Sequence, residues 1–312
     1  MSLSSAIGGH NRKILISLLG LPTLFLAVFF LGPLGIMLVY SWLEPGLYGG
    51  VVWEFYHLNF GRIFGWADTQ YEKFDPIYLE VFIRSFLLAL ATVLLSLIIC
   101  YPAAFWISRM PERRKNLFIF LITLPFFVSL IVRLFAWVLL LRPTGFVNQA
   151  LMGLGIIESP LIMIFTNFAV VIGMVYIFIP FMFLPLYASV EKLDRSMVEA
   201  SFDLGANRWQ TFRRVILPLT MPGIIGGSII VFIPSLGNFI VPSVLGGARV
   251  MMIGNLIEQQ FLQARDWPFG AALSMIVMST VLALLLLYVR WAVREEGATR
   301  TTTQASLRAE AA

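Results

Sequence analysis

Long uncharged stretches, separated by short charged clusters, dominate the chain. A bilayer core of about 30 Å requires roughly 20 apolar helical residues. Five stretches without Asp, Glu, Lys or Arg are long enough, and a sixth is interrupted only by Arg133. The pattern predicts an all-α, polytopic membrane protein with six transmembrane helices inside a domain spanning residues 14–294. The six stretches are 14–43, 85–108, 116–141, 159–190, 215–248 and 267–289.

The composition supports a membrane protein and disfavours an enzyme. The chain is 59% hydrophobic and 12% charged, with a mean hydropathy of +0.87, whereas soluble domains are about 25% charged. One cysteine and two histidines exclude an internal disulfide framework and leave too few ligands for a zinc or iron–sulfur site. Both histidines lie outside the spans and Cys100 lies in an apolar run. We therefore expect no catalytic residue and no metal site.

Arginine and lysine are concentrated in the loops on one side of the membrane. Fifteen of the 22 basic residues fall on the side of both termini and five on the other, with Arg84 and Arg133 at or inside spans. The positive-inside rule therefore predicts cytoplasmic termini, so residues 1–13 form a cytoplasmic N-terminal tail. Residues 295–312 have no periodic apolar face, which predicts a disordered cytoplasmic tail.

The outer loop over residues 42–79 is too long for a simple hairpin. It mixes acidic side chains with tryptophans and tyrosines. Such a loop is typical of a segment at headgroup level, and a docking surface for an external partner is an equal alternative.

The fifth stretch carries several helix-breaking residues. Its 34 residues would form a helix of about 51 Å, more than a membrane requires. Pro218 and Pro222 are predicted to end a cytoplasmic segment, and Pro234 to break the outer half. Irregular backbone at membrane depth is stable only where protein or a watery cavity satisfies it. Segment 233–247 is therefore a candidate cavity-lining element, with a simple loop as the alternative. Two further prolines predict a similar interruption near Tyr176: Pro180 and Pro185.

Candidate residues for a translocation path are aromatic or polar side chains at membrane depth. Every acidic residue lies in a loop or at a span end, so a cationic solute would meet aromatic faces and carbonyl dipoles instead. Arg133 would cost roughly 2.5–3.5 kcal/mol near a helix centre. We favour snorkelling or pairing with an outer acid over contact with solute for this residue. The candidates are Arg133, Trp137, Asn167, Tyr176, Phe232, Ser235, Asn238 and Phe239.

Segment 191–218 forms the long polar loop on the predicted cytoplasmic side, and we call it the elbow. Ser196 and Glu199 have the spacing of a capping box, as do Asn207 and Gln210, and Gly205 suits a left-handed helix C-terminus. These signals predict two short helices meeting at a corner. Each helix carries an apolar stripe. From periodicity alone, the stripes pack on this chain or on headgroups as readily as on another protein.

The elbow also resembles a known family motif. Glu199-Ala200-Ser201, Gly205 and Pro218 fall at the spacing of the EAA motif of ATP-binding-cassette (ABC) importer permeases. Ser201 replaces the second alanine of that motif, a mild departure. The resemblance implies a type I ABC importer permease fold in which the elbow forms coupling helices that bind a groove of an ATPase subunit. The residues carried over to this role are Glu199, Ala200, Ser201, Asp203, Leu204, Gly205, Arg208, Phe212, Leu217 and Pro218.

Further segments resemble the spermidine/putrescine permeases of this family. They are 124–137, 232–242 and 260–268, although Asn238 stands where such relatives often have an acid. The resemblance implies a polyamine permease of the bacterial inner membrane and no nucleic-acid binding. It implies as partners a second, related permease chain, two ATPase subunits, a periplasmic solute-binding protein and membrane lipid.

The chain carries no phosphate-binding loop of the form G-x-x-x-x-G-K-[ST], so it has no visible means of hydrolysing ATP. We expect no cofactor in this chain, with ATP and magnesium bound by the partner ATPase subunits. One alternative is an importer permease for another small charged solute, such as an amino-acid derivative, opine or phosphonate. A less favoured alternative is an ion-gradient-driven secondary transporter, which would normally place acids or histidines inside the membrane.

Overall fold

The computed structural model describes the backbone of residues 9–66 and 74–310. Side chains are described for residues 18–66 and 74–290, apart from Arg195 and Ala248. Within these ranges the chain is mostly helical. The first elements are α1 Gly9–Tyr40, β1 Leu43–Pro45, β2 Val51–Phe55, α2 Leu58–Ile63, α3 Ile77–Ser108, α4 Glu112–Thr123, α5 Leu130–Leu141, α6 Phe146–Gly153 and α7 Asn167–Glu191. The remaining helices are α8 Arg195–Asp203, α9 Arg208–Thr211, α10 Leu217–Leu236, α11 Ile253–Leu262 and α12 Trp267–Glu310.

Six helical segments of the described chain are long and apolar enough to cross a membrane, which confirms the predicted number. The protein also contains a two-stranded hairpin of β1 and β2, which the all-α prediction did not include. The six segments are Leu18–Tyr40, Ile77–Ser108, Leu130–Gly153, Asn167–Glu191, Arg208–Leu236 and Trp267–Arg290.

The third span differs from its predicted range, 116–141. α4 ends at Thr123, a short 3₁₀ turn follows over Leu124–Phe127, and α5 begins at Leu130. Leu124, the residue before Pro125, keeps helical dihedral angles, and the backbone becomes extended at Val128, which separates the turn from α5. The membrane-crossing segment is therefore Leu130–Gly153, made of α5 and α6.

The predicted interruption of the fourth span is wrong. α7 is one helix from Asn167 to Glu191 and contains both Pro180 and Pro185. It packs against α3 on one side and α10 on another. Neighbouring helices allow prolines inside membrane helices because they compensate for the lost backbone bonds. The start also differs, since residues 159–166 precede the helix and Thr166 caps it.

The fifth span is also more continuous than predicted. A π-helical turn over Phe212–Ile216 joins α9 directly to α10, so neither Pro218 nor Pro222 ends a segment. Pro218 is the second residue of α10 and follows the π turn, so its missing N–H falls at the junction between the two kinds of helix. The outer break is confirmed, but it begins at Gly237, after Pro234. A second π turn and a 3₁₀ turn follow it, over Pro242–Gly246 and Gly247–Arg249.

Glycines let the central helices approach one another closely. A Cβ at Gly223 of α10 would lie 2.5 Å from the Ser189 hydroxyl oxygen and 2.7 Å from the Pro185 carbonyl oxygen of α7. At Gly227 it would lie 2.9 Å from the Met182 sulfur. Small residues at such crossings are typical of membrane helix packing. The Gly223 and Gly227 pair therefore belongs to the contact between α10 and α7.

The chain divides into two compact units. The first comprises Met1–Pro76 and Ile257–Thr280, and the second comprises Ile77–Leu256 and Val281–Ala312. In the first unit, Arg62 forms a 2.9 Å ion pair with Asp266 and its guanidinium lies 3.9 Å from the centre of the Phe269 ring. The second unit contains the packed helices α3, α7 and α10, together with the elbow.

The two predicted tails fall largely outside the described residues. Residues 1–8 are not described, and α1 begins at Gly9. α12 is assigned as one helix to Glu310, but its side chains are described only to Arg290. The disorder expected for residues 295–312 stays a prediction.

Candidate coupling elbow and translocation path

The first helix of the elbow, α8, is capped by Asp194. The Asp194 carboxylate accepts a 2.9 Å hydrogen bond from the Ser196 amide, and this bond holds the pKa of Asp194 below its ordinary value. The predicted capping box of Ser196 and Glu199 is therefore wrong. The helix begins at Arg195, two residues earlier than that box requires, so the aspartate takes the capping position. Consequently the Glu199 side chain is exposed, with no ion pair to any described side chain.

The corner between α8 and α9 follows the predicted chemistry. Gly205 has a φ of +82°. Its amide donates to the Phe202 carbonyl at 2.9 Å, and the Ala206 amide donates to the Ser201 carbonyl at 3.0 Å. This pair of bonds is the Schellman arrangement, in which glycine ends a helix at little steric cost. The corner is therefore fixed by backbone hydrogen bonds.

The second capping box is confirmed. The Gln210 amide donates to the Asn207 side chain at 2.9 Å, and the Asn207 amide donates to the Gln210 side chain at 2.9 Å. Both orphan donors are thus satisfied locally. α9 starts at a defined residue, directly after the glycine corner.

The predicted coupling residues divide into an exposed and an inward group. Leu204 is 89% exposed, and Trp209 beside it on the corner is 66% exposed. Single exposed apolar residues are ordinary, whereas a group of them on one protruding corner is typical of a contact surface. The exposed members of the predicted set are Glu199, Ala200, Asp203, Leu204, Gly205, Arg208 and Pro218, and the inward members are Ser201, Phe212 and Leu217.

Phe212 attaches the elbow to α3. Its ring packs edge-on against Tyr101, with 5.8 Å between the ring centroids. The Tyr101 hydroxyl lies 3.0 Å from the hydroxyl of Thr220 on α10. These contacts hold the base of the elbow against two spanning helices, so the exposed corner projects from a supported base.

The predicted path residues do not form a single site among the described side chains. Trp137 and Tyr176 meet edge-on at 5.7 Å and line a cavity of about 430 Å³. Phe232 packs on Phe86 at 5.3 Å and lines a separate cavity of about 430 Å³. Both cavities are almost purely apolar. Asn167 is exposed as the first residue of α7.

Ser235, Asn238 and Phe239 lie at the outer break of the fifth span, whereas Arg133 lies in the first turn of α5. The Asn238 side-chain oxygen accepts a 3.0 Å hydrogen bond from the Val241 amide, so it caps the turn after the break. Ser235 is fully buried and its hydroxyl has no partner among the described groups. Arg133 is half-buried, and its Nε atom has no hydrogen-bond partner. Phe239 is exposed, and its role in a path, like that of the others, stays a prediction.

Asn255 is a residue that sequence reasoning missed. Its side-chain nitrogen donates to the Phe239 carbonyl at 2.8 Å and to the Ser243 hydroxyl at 2.7 Å. Its oxygen accepts from the Met252 amide at 3.3 Å. Asn255 therefore fastens the broken segment to α11. The available signal was an isolated Asn between two apolar residues, Gly-Asn-Leu, which is a weak one.

The fold is that of a multi-pass helical membrane protein with the architecture of an importer permease. Residues 101–294, which include the elbow, match the family model described as the binding-protein-dependent transport system inner membrane component. The chain belongs to this family and is a multi-pass protein of the bacterial inner membrane.

Relatives of known family are similar in sequence over most of the chain. It is 45% identical over 224 residues to the spermidine/putrescine transport system permease protein PotB of Escherichia coli K12, covering 72% of this chain and 81% of the relative. For PotB of Haemophilus influenzae the identity is 44%, covering 69% and 75%. For the inner membrane ABC transporter permease protein YdcU of Escherichia coli K12 it is 35%, covering 70% and 72%.

Solved structures share the fold at low sequence identity. A bacterial ABC transporter involved in the import of the acidic polysaccharide alginate matches with a TM-score of 0.64 and 20% identity, covering 94% of this chain and 98% of the other. The same kind of transporter in complex with an alginate pentasaccharide-bound periplasmic protein matches with a TM-score of 0.68 and 17% identity, covering 90% and 95%. These likenesses concern the fold alone.

Proposed function

We propose that this chain is one permease subunit of an ABC importer and forms half of the translocation path for a polyamine such as spermidine or putrescine. The observation that carries the proposal is the 44–45% identity to spermidine/putrescine permeases over about 70% of the chain. The related but different second permease, the two ATPase subunits and the periplasmic binding protein are supplied by other chains. ATP and magnesium bind to the ATPase subunits.

The geometry of the elbow supports coupling to an ATPase. The corner presents Leu204 and Trp209 outwards, with the Glu199 carboxylate exposed nearby on α8. Exposed apolar side chains beside a carboxylate suit a binding groove that is apolar at its base and basic at its edge. We place this surface in the cytoplasm, as the excess of arginine and lysine in the loops on its side predicts.

The connection to the membrane helices supports a mechanical role. α9 continues through the π turn into α10 without a loop, and α10 packs on α7 and α3. ATP-driven closure of the ATPase subunits would therefore move α10 together with the elbow. Rocking of the packed helices would open the path alternately to the two sides of the membrane.

The proposed substrate places a chemical demand on the path. Polyamines are polycations, and the two apolar cavities among the spanning helices offer aromatic rings and no carboxylate. Trp137 and Tyr176 present ring faces and edges on one cavity wall, and ring faces attract cations by about 0.5–2 kcal/mol. Such weak contacts favour passage over tight binding.

The test of coupling is co-purification of the ATPase subunits with the tagged chain. Leu204→Asp places a charge on the most exposed leucine of the corner and should abolish co-elution. Leu47→Asp is the matched control, because Leu47 is 99% exposed but lies between β1 and β2. Equal loss of ATPase with both variants, or with neither, would contradict the role of the elbow.

The test of the substrate is uptake by the complete importer in proteoliposomes with its binding protein and ATP. Labelled spermidine and putrescine should accumulate, whereas an amino-acid derivative, an opine and a phosphonate should not. Accumulation of one of those three solutes instead would keep the importer and reject the polyamine. Uptake by this chain alone under a proton gradient would reject the importer.

A further inference from the structure

A groove of about 840 Å³ lies between the last turns of α3 and the elbow. Its walls are rich in aromatic rings, supplied by both elements. Pro102 and Ile216 complete its apolar surface. The rings belong to Tyr101, Phe105, Trp106, Phe202 and Phe212. The groove shares Arg208 and Phe212 with the predicted coupling residues, but Leu204 does not line it. It is separate from the two apolar cavities among the spanning helices.

Two arginines line the same groove, one from each side. Arg109 follows the last residue of α3, and its guanidinium lies 4.2 Å from the centre of the Phe105 ring. Arg208 is the first residue of α9. Neither guanidinium lies within ion-pair distance of a carboxylate among the described side chains, where the ion pairs are Arg62–Asp266 and Lys115–Glu191. The groove therefore combines an apolar wall with two uncompensated positive charges.

An adjoining cavity of about 320 Å³ shares Phe105 and Arg109 with the groove and contains two carboxylates. Glu191 is already engaged, because it accepts from Lys115 at 3.1 Å and from the Tyr187 hydroxyl at 2.7 Å. The other carboxylate, Glu199, lines only the adjoining cavity. The carboxylates therefore do not occupy the groove itself.

The groove lies at the end of a membrane-spanning helix. α3 crosses the membrane as Ile77–Ser108, so Tyr101, Trp106 and Arg109 lie in or directly after its last two turns. Tyrosine and tryptophan concentrate at headgroup level, and basic pockets beside spanning helices on the cytoplasmic side bind anionic headgroups. Trp106 is 58% exposed and Phe202 is 46% exposed, so the groove is open to its surroundings.

We propose that this groove binds one anionic phospholipid of the inner membrane. Its phosphate lies between Arg109 and Arg208, and an acyl chain runs along the aromatic wall. A free phosphate would leave that wall uncovered, and a zwitterionic lipid would compensate the two arginines less well. Because Arg109 follows α3 and Arg208 begins α9, the bound lipid joins the elbow to the spanning helices.

The experiment measures lipid binding by native mass spectrometry. The full-length chain is purified with its co-eluting subunits in a neutral detergent and titrated with short-chain phosphatidylglycerol. Arg109→Gln should weaken binding of one lipid about fivefold, since one basic side chain is lost from the site. The matched control is Arg113→Gln, because Arg113 is exposed in the next helix and does not line the groove. Equal affinity in both variants would overturn the proposal.

Two further arms separate the possible ligands. Glycerophosphoglycerol, the deacylated headgroup, carries the same phosphodiester without acyl chains and should bind at least tenfold more weakly, whereas equal binding would replace the lipid by a small anion. Phosphatidylcholine has the chains without net charge and should also bind weakly, whereas equal binding would remove the role of the arginines.

If Arg109→Gln fails to fold, a salt titration of the unmodified protein tests the proposal instead. Affinity for phosphatidylglycerol should fall with salt, and unchanged affinity would overturn the proposal.

Discussion

Ser201 on α8 and Thr211 on α9 share a hydrogen bond beneath the corner of the elbow, with 2.9 Å between their hydroxyl oxygens. Ser201 also donates to the Val198 carbonyl at 2.7 Å. Because Ser201 has one hydroxyl proton, Thr211 is the donor of the shared bond. Both side chains are buried, at 8% and 1% exposure. Ser201 is also the residue that departs from the alanine of the EAA motif, so this departure adds a tie between the two helices.

The first prediction concerns this tie. Ser201→Ala removes the acceptor and leaves the buried Thr211 hydroxyl without this partner, which costs about 1–3 kcal/mol. Adding Thr211→Val to Ser201→Ala removes both hydroxyls and should recover most of the loss. A double-mutant cycle of thermal unfolding of the purified importer measures the coupling. Strictly additive effects of the two substitutions would show that the hydrogen bond contributes nothing.

The second prediction distinguishes the two candidate caps of α8. Asp194→Ala removes the side chain that accepts from the Ser196 amide, and loss of such a cap costs about 0.5–2 kcal/mol. Ser196→Ala should change little, because the Ser196 hydroxyl is not the cap of the helix. Hydrogen exchange of the α8 amides, followed in both variants, reports local opening. Faster exchange in Ser196→Ala than in Asp194→Ala would favour the original capping box.

The third prediction concerns helix packing in the membrane. Gly223→Ala places a Cβ against backbone and side-chain atoms of α7, and overpacking of this kind typically costs 1–3 kcal/mol. Gly226→Ala is the matched control on the same helix, because a Cβ there meets no atom within 4 Å. The melting temperature of the purified protein in detergent should fall for Gly223→Ala and stay within error for Gly226→Ala. The reverse order would contradict the close contact of α10 and α7.

The fourth prediction separates two roles of Asp266. Its carboxylate pairs with Arg62 at 2.9 Å and also accepts from the Phe269 amide at 3.1 Å, at the start of α12. Asp266→Asn keeps the cap and loses the charge, whereas Asp266→Ala loses both. We expect Asp266→Ala to destabilise the protein by about 1 kcal/mol more than Asp266→Asn, the usual contribution of a cap. Thermal unfolding at low and high salt measures both effects, and a salt-independent loss in Asp266→Asn would exclude the ion pair.

Local chemistry explains which features the sequence could predict. Gly205, Asn207 and Gln210 fix their corner through bonds that span three to five residues, so the pattern was sufficient. The number of spans followed from the apolar stretches in the same way. In both cases the decisive interactions lie close together along the chain.

Long-range packing explains what the sequence could not predict. Pro180 and Pro185 were expected to interrupt α7, but α3 and α10 support that helix from outside. The role of Ser201 depends on Thr211, across the turn. The candidate path residues were chosen by type and depth, yet the Phe239 carbonyl is held by a side chain sixteen residues further along the chain. Sequence pattern reports side-chain chemistry, whereas these outcomes depend on which groups meet in space.

The π turn over Phe212–Ile216 joins the second helix of the elbow and α10 into one long helical run. Helical backbone continues from Arg208 to Leu236, a run of 29 residues, which corresponds to about 44 Å at 1.5 Å per residue. The helical backbone is not interrupted along this run, and the first break after the elbow comes at Gly237. If the elbow moves as proposed, the displacement passes along the whole run, and the π turn and the three prolines of α10, the usual places where helices kink, would absorb part of it.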